Sequence, residues 1–225
     1  GCKKLKEVTI GKNIKTIGAE VFYQCKFKKV YYTGNMKSWC EIDFNDYASN
    51  PANYTEKFYI DGVEVGGNIN LPDGLTKIKK YTFGKFASLT SITIPSSVIE
   101  IEEYAFSYSN LTSIVMSENV TSIGLSAFEY CKNLVSIVIP KSVKTIGEYA
   151  FFYCSSLTSV VIGENVSTIG AYAFNECSKL TSVEFKNFEG WKCGGIIVSA
   201  DDLRNPETAA TYLTTTYCGY NWTRG

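Results

Sequence analysis

Eight cysteines are the residues of this sequence with the most obvious capacity for chemistry, since paired thiols form disulfides and clustered thiolates bind zinc. Cys131, Cys154 and Cys177 recur at one spacing, and each follows a phenylalanine by three positions. A series of single cysteines does not form natural pairs, and no Cys-x-x-Cys motif is present. Because free cysteine packs as a small apolar side chain, we predict that this series, which includes Cys2 and Cys25, lies in the core and binds no metal. A disulfide between Cys193 and Cys218 remains an alternative for the C-terminal region.

The sequence contains no histidine, which removes the commonest general base and the commonest metal ligand. We find no nucleophile–base pair, phosphate-binding loop or carboxylate pair with convincing placement, so we predict no catalytic residues and no cofactor. Lys plus Arg and Asp plus Glu both number 22, a balance that argues against nucleic acid as a partner. Nine lysines fall within residues 1–37, where we expect a solvated end rather than a polyanion-binding patch. No segment approaches ~20 consecutive apolar residues, so no membrane span is expected.

A repeat of about 23 residues organises most of the chain. The same apolar positions return in copy after copy, beginning with Leu89, Leu111, Leu134, Leu157 and Leu180. Each leucine opens a Leu-x-x-Ile-x-Ile motif or a variant of it with Val, Met or Phe at the later positions, and the last two apolar residues share one face of a strand. A Ser-Val-x-x-Ile-Gly segment is expected to turn the chain, and an Ala-Phe-x-x-Cys segment with helical spacing is expected to return it. One repeat buries too little surface to be stable alone, so stacking must form a continuous core.

The fold predicted from this spacing is a β-rich α/β solenoid: a curved leucine-rich-repeat structure with one parallel sheet and short helical or irregular return segments. Gly1-Cys2-Lys3-Lys4-Leu5 matches the junction of two repeats, so we expect the chain to begin inside a repeat. We divide it into a first repeat (1–26), an excursion (27–65), regular repeats (66–185) and a C-terminal helical cap (186–225).

The two irregular segments carry their own local signals. Within 27–65 we expect a strand near Val30, a short helix over Met36–Ile42, and a hairpin at Asp61-Gly62. This excursion is either a structural insertion or a protruding binding loop. Within 186–225, Asn205-Pro206 predicts the start of a helix, in a segment that either covers the last repeat or binds a ligand independently.

The repeat resembles the BspA-like class of bacterial leucine-rich repeats, and residues 134–156 (LVSIVIPKSVKTIGEYAFFYCSS) are close to a consensus unit of that class. The resemblance covers residues 1–26 and 66–185. It implies a secreted or cell-surface protein of the kind found in gut and oral bacteria. Members of the family are associated with adhesion to host proteins and to other bacteria.

Candidate binding residues lie beside the buried positions of the predicted strands, on the concave face that repeat proteins commonly use. They form two rows: Ser91, Ser113, Ser136, Ser159 and Ser182 in one, and Thr93, Val115, Val138, Val161 and Glu184 in the other. Three exposed valines side by side mark an interface, or else reflect the preference of valine for strands. Both interpretations remain open here.

Tyrosine offers a second candidate surface. Tyr81, Tyr104, Tyr149 and Tyr172 each precede the Ala-Phe pair or its Thr82-Phe83 equivalent. They either shield the edges of the core or form an aromatic stripe suited to stacking on sugars.

The residues and the resemblance together predict a non-enzymatic, extracellular or cell-surface adhesion module that binds a host-matrix or bacterial-surface protein through the concave sheet. Carbohydrate binding through the tyrosines is one alternative. A structural spacer that holds another domain is the other.

Overall fold

The computed structural model describes residues 2–225 as a solenoid in which each turn adds one strand to a main sheet. The main-sheet strands pair in parallel in three segments. They are β1 (Glu7–Ile10), β3 (Phe27–Tyr32) and β5 (Thr55–Ile60); β7 (Gly67–Asn70), β9 (Leu89–Thr93) and β11 (Ser113–Val115); and β13 (Ser136–Val138), β15 (Ser159–Ile162) and β17 (Ser182–Phe185). Equivalent residues of successive repeats pair directly, for example Ile137 with Val160 and Val160 with Val183. The predicted solenoid with parallel strands is therefore confirmed.

A second set of parallel pairings, which we did not predict, is formed by one dipeptide of each turn, in two segments. The first segment pairs β2 (Thr16–Ile17) with β4 (Asp43–Phe44). The second segment consists of β8 (Lys77–Ile78), β10 (Glu100–Ile101), β12 (Ser122–Ile123), β14 (Thr145–Ile146) and β16 (Thr168–Ile169). In the last three repeats a glycine follows the dipeptide (Gly124, Gly147 and Gly170), and its lack of a side chain permits the close stacking there. A Cβ on Gly147 would lie 2.6 Å from the backbone carbon of Gly124 in the preceding turn.

The return segments of the regular repeats are successive tight turns. Of the two forms expected for these segments, they therefore have the irregular form and not the helical one. Tyr104 and Tyr108 adopt left-handed conformations, with φ of 56° and 60°. Backbone N–H groups alternate between two partners: Phe106 N donates to Ala127 O of the next turn at 2.8 Å, and Ser107 N donates to Tyr104 O of its own turn at 3.2 Å. This alternation satisfies the buried backbone and links neighbouring turns along a third side of the solenoid.

A continuous apolar core fills the solenoid. The phenylalanines of the Ala-Phe positions form one column of stacked rings, with neighbouring centroids 5.0–5.4 Å apart: Phe83, Phe106, Phe128, Phe151 and Phe174. All five are buried. Because each ring contacts the rings of its two neighbouring turns, the column joins the repeats into one cooperative unit.

The segment 27–65 lies in the solenoid as a wider turn. Strand β3 pairs with β5 across 28 residues of chain, for example Lys29 with Lys57, and the intervening residues place Trp39 in the core. A helix α1 (Met36–Cys40) and two 3₁₀ helices (Tyr47–Ser49 and Pro51–Tyr54) form the return, and the Asp61-Gly62 turn leads into β6 (Val63–Glu64), antiparallel to β5. The short helix and the hairpin expected here are both present.

The wider turn meets the next repeat at a seam, because neither β5 with β7 nor β4 with β8 shares a ladder. Side chains join the two sides. The buried Asn50 side chain donates from Nδ2 to the backbone oxygens of Tyr81 at 2.8 Å and Thr82 at 3.1 Å. The rings of Phe58 and Phe86 meet edge to face at 5.4 Å, so the core continues through the seam.

We expect Asn50→Ala to lower the free energy of unfolding by about 1–3 kcal/mol, because the buried Thr82 carbonyl loses the Asn50 donor and the part-buried Tyr81 carbonyl keeps only its bond from Gly84 N. Asn50→Asp keeps the acceptor that caps the Ala52 N–H at 2.9 Å but removes the donor, so it should be nearly as harmful. Urea denaturation measures both variants against Asn45→Ala, which changes an exposed residue. A cost for Asn50→Ala below about 0.5 kcal/mol would exclude a joining role for this side chain.

The C-terminal region covers the last turn. Strand β20 (Trp222–Arg224) pairs antiparallel with β16 and with β18 (Trp191–Cys193), which continues into β19 (Ile196–Ile197). Helices α2 (Ala200–Arg204) and α3 (Pro206–Thr211) contact β17, and a π-helical turn (Tyr212–Thr216) follows. The helix predicted at Asn205-Pro206 is confirmed, since the Asn205 side chain caps it by accepting from Glu207 N and Thr208 N.

Candidate functional site

The ten predicted sheet residues lie on the water-facing side of β9, β11, β13, β15 and β17 in two rows, which we call the sheet face. Register places Ser136 beside Ser159 and Val138 beside Val161. In the same way, Thr93 pairs with Val115 and Val161 pairs with Glu184. Val115 and Val138 are 60% and 63% exposed, whereas Val161 is half-buried. Register therefore aligns these side chains within β9 and β11 and within β13, β15 and β17, while β11 and β13 share no ladder.

A cleft of about 370 Å³ opens beside the valines of the sheet face, and both Val138 and Val161 line it. Pro140 adds to its apolar wall. Charged side chains surround this apolar centre: Glu118, Lys141, Glu164 and Lys186. An apolar centre within a polar rim is the usual anatomy of a protein–protein interface.

Two tyrosines that we did not predict lie on the water-facing side of β3 and β5, across the seam from the sheet face. Tyr31 and Tyr59 pair in register, and their rings stack with centroids 5.0 Å apart. The Tyr59 hydroxyl donates to Glu64 Oε2 at 3.2 Å, and Lys57 Nζ pairs with the same oxygen at 3.1 Å. The alternation of Val30 and Tyr32 with Tyr31 contained this signal, but segment 27–65 had been set aside as an excursion.

The four tyrosines of the alternative surface lie on the return segments, away from the sheet face, and form two separate pairs. Tyr81 stacks on Tyr104 and Tyr149 stacks on Tyr172, both at 5.2 Å. Ser126, which is buried, occupies the equivalent position between the pairs. Burial raises the pKa of Tyr81 to about 12, so its phenol remains protonated. Within each pair the two rings cover one face of each other.

The cysteine series joins successive turns through thiol hydrogen bonds. Cys131, Cys154 and Cys177 donate from Sγ to the backbone oxygens of Phe106, Phe128 and Phe151 at 3.1–3.2 Å. Burial raises the pKa of Cys131 to about 12 and that of Cys154 well above its usual value, which keeps both as thiols. Within residues 2–225 all eight cysteines are free, and Cys193 Sγ donates to Tyr217 O at 3.6 Å.

We expect two cysteines to react quickly with a thiol reagent in the folded protein: the exposed Cys2 and the half-exposed Cys218. The other six cysteines are buried, so they should react after denaturation and bring the number of reactive thiols to eight. Colorimetric thiol titration with and without denaturant makes the comparison. Rapid reaction of Cys131, Cys154 or Cys177 under native conditions, identified by mass spectrometry, would contradict their place in the core.

Within residues 2–225, no three Cys, Asp or Glu side chains are grouped so that they could hold a metal ion. No helix in that part of the chain is both long enough and apolar enough to cross a membrane.

Stacked Leu-x-x-Ile-x-Ile strands around a phenylalanine column define the class of this protein as a leucine-rich-repeat solenoid. Residues 1–52 and 66–181 match the BspA type leucine rich repeat region in six copies, so the chain belongs to that family. Proteins of this family are typically bacterial surface proteins, and leucine-rich repeats are generally non-enzymatic scaffolds that bind proteins. No curated protein matches the sequence.

Solved bacterial structures share the fold. A leucine rich cell surface protein from Faecalibacterium prausnitzii A2-165 is 20% identical over 84% of this chain, with a TM-score of 0.62. The T. pallidum leucine rich repeat protein is 35% identical over 53% of it, with a TM-score of 0.51. The pneumococcal vaccine antigen PcpA is 14% identical over 86% of it, with a TM-score of 0.57. The chain covers 62%, 58% and 59% of those three structures.

Proposed function

We propose that this chain is a non-enzymatic adhesion module of a bacterial surface or secreted protein, and that it binds a protein partner through the sheet face. The observation that carries the proposal is the row formed by Val115, Val138 and Val161. Register aligns Val138 with Val161, and two of the three side chains are more than half exposed on a sheet that faces water.

Burial of exposed apolar surface supplies the driving force for such binding. An exposed apolar row costs free energy in the unbound protein, and a partner that covers it recovers about 25 cal/mol for each Å² removed from water. The preference of valine for strands explains one such residue equally well. It does not explain the charged rim of the cleft or the Tyr31–Tyr59 stack on the same face, and tyrosine is enriched at interfaces.

The flanking groups define the chemistry of the partner. Two lysines (Lys141 and Lys186) and two glutamates (Glu118 and Glu164) line the cleft, so neither sign of charge dominates. A mixed rim gives orientation and specificity rather than attraction to a polyanion. We therefore expect the partner to be a folded protein whose binding surface has an apolar centre, and not a nucleic acid. Such a partner would belong to the host matrix or to another bacterial surface.

The test is a binding screen of extracellular-matrix and bacterial-surface proteins, followed by the double variant Val138→Arg/Val161→Arg. Two buried charges at the centre of the interface should abolish saturable binding, because each must be desolvated without a partner. The control Thr112→Arg/Val135→Arg changes exposed residues outside the two rows. Binding that survives the Val138/Val161 change would contradict the proposed site, and the absence of any saturable partner would favour a structural spacer.

A further inference from the structure

A second cleft, of about 440 Å³, opens on the return-segment side and has no part in the proposed protein interface. Four turns contribute side chains to it. We call it the tyrosine cleft, and its lining side chains are Tyr47, Tyr81, Lys85, Tyr104, Ser107, Tyr108 and Glu129. Its volume lies within the range of small-ligand sites, which hold apolar and aromatic walls with a few polar groups.

Open ring faces distinguish this cleft from the rest of the tyrosine surface. Tyr108, Tyr130 and Tyr153 stack in sequence at 4.5 and 4.8 Å, so the inner ring is covered on both sides. Tyr108 begins that stack, and the position before it in the repeat holds Lys85 instead of an aromatic residue. Lys85 Nζ lies 4.3 Å from the ring centroid of Tyr47 and 5.6 Å from that of Tyr108. Tyr47 and Tyr108 are 44% and 46% exposed, and each turns a ring face toward the space that the flexible Lys85 side chain occupies.

Polar groups in the cleft supply both donors and acceptors. Glu129 is half-buried, and burial raises its pKa. Burial and the neighbouring Glu129 also raise the pKa of Tyr108, which keeps its phenol as a donor. Lys85 contributes an ammonium donor on a flexible stem. These groups can pair with hydroxyls while the aromatic walls contact an apolar face.

We propose that the tyrosine cleft binds a neutral saccharide, with one sugar ring between the faces of Tyr47 and Tyr108 and its hydroxyls paired with Lys85 and Glu129. A sugar ring has the required combination of an apolar C–H face and a hydroxyl rim. Lys85 leaves the two ring faces on binding and donates to a hydroxyl.

The surrounding charges argue against the other small ligands that aromatic clefts accept. A quaternary ammonium or a methylated lysine would meet the Lys85 ammonium, which already occupies the ring faces. An acidic sugar would meet the Glu129 carboxylate, and Asp46 and Glu103 also lie near Tyr81. A neutral ligand avoids both repulsions.

The experiment is calorimetric titration of the whole chain with maltotetraose, cellotetraose, mannotetraose and chitotetraose, each at up to about 10 mM, and with choline as a cationic probe. We expect one of the four saccharides to bind. Tyr108→Ala and Tyr47→Ala should each weaken that binding about tenfold or more, through the loss of an aromatic face.

Tyr153→Ala is the matched control, because it removes the opposite end of the same stack and should change affinity less than about twofold. Circular dichroism verifies that each variant is folded. Absence of binding by all four saccharides, equal loss in Tyr153→Ala, or preferential binding of choline would each overturn the proposal. None of these outcomes bears on the sheet face, which lies on another side of the solenoid.

Discussion

Phe151→Ala should reduce the free energy of unfolding by about 3–5 kcal/mol, the range for removal of a buried phenylalanine ring. Phe151 is fully buried, and its ring stacks between those of Phe128 and Phe174 at 5.2 and 5.1 Å. The loss would break the column near its centre. Since solenoid repeats are stabilised by their nearest neighbours, we also expect a broader denaturation transition as the two parts lose cooperativity.

Phe152→Ala provides the matched control for this change. Phe152 is the next residue, but it is half-buried and meets Tyr130 and Tyr149 edge to face on the outside of the turn. Removal of the Phe152 ring should lower the free energy of unfolding by about 0.5–1.5 kcal/mol for its aromatic contacts, in addition to the contribution of its partly buried surface. Urea denaturation of both variants gives the comparison. Equal costs for Phe151→Ala and Phe152→Ala would show that the column is not the main source of cohesion between turns.

Trp222→Ala should also cost about 3–5 kcal/mol and should open the C-terminal cap before the rest of the chain unfolds. Trp222 is buried, lies 6.2 Å from the rings of Phe185 and Trp191, and donates from Nε1 to Tyr217 O at 3.3 Å. In strand register it pairs with Ile169 of the last repeat and with Cys193 of the cap. It therefore anchors the cap to the solenoid through burial, together with hydrogen bonds such as that from Ala171 N to Asn221 Oδ1 at 2.9 Å.

Thiol reactivity detects this local opening. In the folded chain Cys193 is buried, and burial raises its pKa to about 11. In Trp222→Ala we expect Cys193 to react quickly while Cys131 and Cys154 remain protected. Tyr220→Ala, which alters an exposed residue of the same cap, should leave Cys193 protected. Simultaneous exposure of Cys193 and the core cysteines would mean that cap and repeats unfold as one unit.

The repeated core could be predicted because its signal is redundant. Leu134, Ile137 and Ile139 have the spacing of a strand with one buried face, and the same spacing in neighbouring copies leaves stacking as the way to bury them all. The alignment of Val138 with Val161 follows from that stacking, because equivalent positions of identical repeats must pair.

Features without periodicity could not be predicted in the same way. The second set of parallel pairings consists of two-residue strands, such as Thr145–Ile146, which are too short to show an alternating pattern. A strand near Val30 could be predicted, but its pairing with Thr55–Ile60 could not, because Lys29 and Lys57 are separated by a distance in sequence that the regular repeats do not share. The stack of Tyr31 on Tyr59 depends on that pairing.

Hydroxyl-radical footprinting of the chain, with and without a protein partner found in the binding screen, shows which side of the solenoid the partner covers. We expect strong protection of Val115, Val138, Tyr31 and Tyr59, and unchanged modification of Tyr108 and Tyr153 on the other side. Protection of Tyr108 and Tyr153 with an unprotected sheet face would contradict the proposal that this protein binds its partner through the sheet.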